Sequence, residues 1–126
     1  MANIIPDAFK SELLSGTHNF ANGGNTFKIA LFTDISGYST SSTTYSTTNE
    51  FSSSGTNYSA GGNALDSQAV SVASNTALVD FADEVFSSVT LSAVGAVIYN
   101  STNSDKLVVV LDFGGTKTAT NGDFTI

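Results

Sequence analysis

The sequence predicts a mainly β protein, an antiparallel β-sandwich or jelly roll with one short N-terminal helix, on three observations. Apolar residues alternate with a period of two through much of the chain beyond residue 26. Turn-forming Asn, Asp, Ser and Gly separate those runs at short intervals. Helical spacing occurs in one place only, near the start, so the strand–helix alternation of a parallel sheet is missing. At 126 residues the chain has the length of a single domain with one core. Residues 1–16 form an N-terminal segment and helix, and residues 26–126 form the sandwich, with a long loop or arm at 34–62.

The helix lies in "IIPDAFKSELLSG". Pro6 and Asp7 can open it, Phe9, Leu13 and Leu14 fall on one stripe, and Gly16 is placed to end it. "TFKIALFT" then alternates Phe27, Ile29 and Leu31 against Lys28, Ala30 and Phe32, a strand with apolar groups on both faces. In "QAVSVASNTALVDFAD" the period of two breaks near Ser74, Asn75 and Thr76 and resumes, which is the pattern of a hairpin. "SSVTLSAVGAVIYN" is a long strand whose Gly95 suggests a bulge or a close backbone approach. "KLVVVLDFGG" follows the polar turn "NSTNSD" as its hairpin partner, with Val108 and Val110 opposite Leu107, Val109, Leu111 and Phe113. Asn121-Gly122 in "TKTATNGDFTI" signals a last hairpin turn. The end at Ile126 falls inside a strand pattern, consistent with a short closing strand or with a tail beyond it.

Composition excludes several activities. Four lysines face eleven acidic residues, the formal charge is -7, and there is no arginine. Bidentate recognition of phosphate or guanine is therefore closed to this chain, and neither nucleic acid nor an anionic membrane is an expected partner. Absence of cysteine removes disulfides, thiolate metal sites and thiol nucleophiles. The start "MANIIPDAFK" has no basic region followed by an apolar run, and no stretch approaches the roughly 20 apolar residues that span a bilayer. These features predict a soluble protein made in the cytoplasm.

Candidate chemistry is sparse. His18 is the only histidine, so it can head neither a Cys-His pair nor an N-ligand zinc site, and it reads as structural at the helix end. Asp80, Asp83 and Glu84 lie close in sequence but do not follow a calcium-loop spacing, and they read as a solvated turn. The pairs Gly23-Gly24, Gly61-Gly62 and Gly114-Gly115 fit no phosphate-binding motif and read as turns. No enzyme activity, cofactor or metal is expected. The stretch from Ser39 to Gly62 is almost entirely Ser, Thr, Gly and Asn, but Tyr45, Phe51 and Tyr58 punctuate it and Tyr38 precedes it. Such aromatics either pin a loop to its own core or contact a partner.

The segments "FKSELLSGTHNF", "FKIALFT", "NEFSSSGTNYSAGGNAL", "SSVTLSAVGAVIYN" and "LVVVLDFGGTKTATNGDFTI" together resemble a family of small structural proteins of tailed bacteriophages. That resemblance implies a virion component, foremost a capsid decoration or cement protein on the icosahedral head. It further implies assembly in the host cytoplasm, the major capsid protein as partner, and a homotrimer at a local threefold position. Ile4, Ile5, Phe9, Leu13, Tyr38, Tyr45, Phe51 and Tyr58 are the expected protein-interface residues. On that view, deleting residues 40–54 leaves a folded monomer that assembles poorly. The alternative is an adhesin or fibre knob whose exposed tyrosines bind a host glycan.

Overall fold

The computed structural model describes residues 2–126. It contains one helix, α1 (Asp7–Leu14), and six strands: β1 (Phe27–Phe32), β2 (Asn63–Ala64), β3 (Ala69–Ala73), β4 (Thr76–Asp80), β5 (Val85–Asn100) and β6 (Lys106–Thr125). All pairings are antiparallel. Four strands form one sheet in the order β2-β1-β5-β6, and β3 and β4 form a separate two-stranded hairpin. The fold is thus mainly β with one short helix.

Helix α1 stops where the sequence says it should. Gly16 takes φ +76, and the amides of Gly16 and Thr17 bond back to the carbonyls of Leu13 and Glu12 at 3.3 and 2.9 Å. That pair of bonds is a Schellman stop, which needs a left-handed residue at Gly16. The expected stripe does not dock as a unit, however. Phe9 packs against the core, whereas Leu13 is half exposed and Leu14 is 91% exposed.

Strand β1 is buried on both faces, as its two-sided apolar pattern requires. Phe27, Ile29 and Leu31 join one cluster with Phe20, Tyr58, Leu65, Phe86, Val89 and Leu91. Ala30 and Phe32 join another with Ile35, Tyr38, Val97, Tyr99, Leu107 and Val110. Strands β5 and β6 are long, and their pairing is broken by shifts of register, one of them between Ala93 and Gly95. There Ala93 faces Lys117 and Gly95 faces Asp112, so the Phe113–Thr116 stretch is extruded from the ladder. The outer half of the hairpin packs in the same cluster as β1, which makes the arrangement sandwich-like.

Two turn readings are corrected. Gly114-Gly115 lies in that extrusion rather than between two strands, and Asn121-Gly122 is no hairpin turn. Asn121 does adopt φ +45, but Gly122 pairs with Val89 and β6 runs on to Thr125. The sixteen residues of β5 offer a ladder long enough to carry β6 through both irregularities.

Candidate assembly surface

The Ser/Thr-rich loop is anchored by a carboxylate. Glu50 accepts hydrogen bonds from the Tyr45 hydroxyl, from the Tyr58 hydroxyl at 2.6 Å and from the Gly61 amide at 2.6 Å. The Tyr58 hydroxyl accepts from the Leu31 amide at 3.0 Å, and Tyr99 donates to the Gly61 carbonyl. Tyr45 stacks on Tyr99 with ring centres 4.3 Å apart. Backbone bonds from Thr33 to Asn49 and from Phe51 to Leu31 fasten the loop to the end of β1.

These contacts decide the role of the aromatics. Tyr58 is 2% exposed, Tyr38 is buried against Phe32, and Tyr45 and Phe51 pack on the two clusters. All four are anchored within the subunit, Tyr38 and Tyr58 buried there and Tyr45 and Phe51 partly so. A loop with so few apolar residues is ordered because those it has are all spent on the core. Deleting residues 40–54 would remove Tyr45, Glu50 and Phe51 together, and with them the Glu50 contacts to Tyr58 and Gly61, so the deletion is expected to destabilise the monomer itself.

A second polar network docks α1. The Asn100 side-chain oxygen Oδ1 accepts from the amides of Thr102 and Asn103, which orients its NH2 group towards His18 Nδ1 and Asn25 Oδ1, both at 3.0 Å. His18 therefore accepts at Nδ1 and donates from Nε2 to Glu12, at 3.1 Å. Lys106 pairs with the other Glu12 oxygen at 3.0 Å. His18 is buried among Phe9, Phe20 and Phe27, a structural histidine.

Burial pushes the Glu12 carboxyl up, but the hydrogen bonds from His18 and Lys106 outweigh it and hold the group below its usual range. A lowered carboxyl stabilises the fold above its unfolded value, and that contribution is lost as pH falls through the folded value. Acidification from about pH 5 to about pH 3 should therefore loosen α1. Hydrogen exchange of the helix amides across that range checks this. Glu12→Gln should flatten the acid dependence, and an unchanged profile would refute the assignment.

What remains on the surface is apolar in two places. One is the N-terminal segment, where Ile5 and Leu13 are about half exposed beside Leu14. Ile4 and Phe9, expected with them at an interface, are used internally: Ile4 bonds to Val110 in both directions and Phe9 packs on the core. The other is the β3–β4 hairpin, in which every residue is exposed. Its base is rooted by Gln68, whose side chain donates to the carbonyls of Ala21 and Asn25 at 2.8 and 3.1 Å. Val70 and Val72 are 58% and 72% exposed, and Val79 faces Val70 across the ladder. Sequence periodicity located this hairpin but held no sign that neither face would be covered.

Asp80, Asp83 and Glu84 do not converge. Glu84 accepts from the Asn63 side chain and Asp80 from the Phe81 amide, and among the described residues no three His, Asp or Glu side chains could hold a metal ion. Within the same residues no helix is long and apolar enough to cross a membrane. No family model matches the chain, and neither a curated protein nor a solved structure matches it.

Proposed function

We propose that this chain is a virion structural protein of a tailed bacteriophage, acting as a capsid decoration protein bound to the major capsid protein. The observation that carries the reading is the rooted hairpin with its uncovered valines. A two-stranded ribbon gains little stability alone in water, and an apolar face left open on it suits a subunit whose neighbours complete it. The motif resemblance supports the same class. Ile5, Leu13 and Leu14 supply a further apolar patch for the shell.

On a shell, each copy would contribute a small contact, and many copies acting together would resist outward pressure. The glycan-binding alternative needs exposed tyrosines, and it is less favoured because Tyr58 is buried and a face of Tyr45 is covered by Tyr99. Quantitative mass spectrometry of purified particles tests the proposal. Copies comparable in number to the major capsid protein are expected, whereas the few copies of a tail or fibre component would overturn it. Leu13→Asp combined with Leu14→Asp should lower occupancy on the particle without unfolding the subunit.

A further inference from the structure

We propose that two copies of this chain pair edge to edge through β3, in an antiparallel two-fold contact centred on Ser71. Strand β3 has no neighbour other than β4, so one edge of it is open. Natural edges are usually guarded by charge, proline or a bulge. This one carries none of them: from Ser67 to Val79 there is no charged residue and no proline, in a chain of net charge -7. Identical acidic subunits repel least where they meet through a neutral segment.

The strand reads Ala-Val-Ser-Val-Ala, the same in both directions. Antiparallel pairing about Ser71 would set Val70 against the partner's Val72, Ala69 against the partner's Ala73, and Ser71 against its own copy. Hydrogen-bond parity agrees with that register. Ser74 and Asn75 both have φ near +60 (50 and 64), the geometry of a two-residue hairpin turn, and Ala73 pairs with Thr76. The groups of Ala73 and Ser71 then point to β4, and those of Val70 and Val72 point outward. Val70 and Val72 are the residues that the two-fold register would bond across the edge. Such a pair buries less than the roughly 800 Å² per partner of a standard stable interface. The dimer is therefore reversible in solution and is reinforced where copies are held close together, as on a shell.

Sedimentation of the purified protein across a concentration series should show its mass rising from 13.0 kDa towards twice that value. Val72→Pro removes an outward N–H and should abolish the rise, leaving the thermal transition of the core in place. Ser71→Cys supplies a register test in a chain without cysteine. At the two-fold centre the Cα atoms would lie about 4.5 Å apart, within the roughly 4.4–6.8 Å of disulfides. Mild oxidation should then cross-link Ser71→Cys nearly completely and Val70→Cys several-fold less. A monomer at all concentrations, equal cross-linking of the two variants, or a trimer indifferent to Val72→Pro would overturn the pairing. The pairing rests on the strand edge and not on the virion role, which particle copy number tests separately.

Discussion

Replacing Gly62 with alanine is expected to lower stability by about 4 kcal/mol and to detach β2 from β1. Gly62 holds φ +75, where a side chain is strained, yet the conformation is the smaller part of the effect. A Cβ placed there would overlap the Ile29 carbonyl and stand 2.8 Å from Ala30 Cα. Both belong to the central strand β1, whose residues are fully or nearly fully buried at these positions, so neither can move aside without disturbing both clusters. Gly61 is the control. It has φ +89, but a Cβ there would meet only the Tyr99 hydroxyl at 3.4 Å and the Lys28 amine at 3.5 Å. Gly61→Ala should cost about 1 kcal/mol. Denaturant unfolding of the two variants measures the difference, and equal losses would show that backbone conformation, not the close approach, governs both.

Glu50→Ala should destabilise the protein by about 3 kcal/mol and free the loop from Asp34 to Gly62. Hydrogen bonds to a charged group contribute roughly 1.5–3 kcal/mol each, and the three that Glu50 accepts share one carboxylate and do not add fully. Without it the buried Tyr58 hydroxyl keeps its bond from Leu31 but has no acceptor for its own proton. Glu50→Gln should fall between the wild type and alanine, since one of its positions becomes a donor facing a donor.

The same network sets the alkaline limit. Burial first, and then the Glu50 carboxylate, raise the Tyr45 and Tyr58 hydroxyls well above the usual tyrosine range. Burial, reinforced by Asp105 and Glu50, pushes Tyr99 up to about 12. A raised group contributes its full stability below the unfolded value and loses it as pH rises through the folded one. Stability should therefore hold to about pH 10 and fall between about pH 10 and 12. Ultraviolet titration should show these tyrosines ionising late in the wild type and earlier in Glu50→Ala. A coincident titration would refute the hub.

Much of the chain could be read locally. Alternation placed β1, the β3–β4 hairpin, β5 and the first half of β6, and Gly16 ended α1 where a left-handed residue was needed. These features depend on side-chain period and backbone conformation, both set by near neighbours. Asn121-Gly122 misled for the complementary reason. Its turn signal is also local, but it closes a hairpin only if the flanking segments pair with each other, and here they pair with β5 instead. Likewise, a polar loop holding Tyr45, Glu50, Phe51 and Tyr58 fits a partner-seeking arm as well as a clamp until Leu31, Gly61 and Tyr99 are brought beside it.

By itself, then, the sequence determined the class of fold and the existence of most strands, because residue type and spacing suffice for those. Only the tertiary structure decided which apolar residues are anchors and which are left open. Of the helix stripe Phe9, Leu13 and Leu14, only Phe9 docks while the two leucines are exposed, and Tyr58, expected at an interface, is buried. Burial is a property of what lies opposite a side chain, and that is set by distant parts of the chain, which cover Tyr58 and leave Val70 and Val72 with only the facing strand β4 beside them.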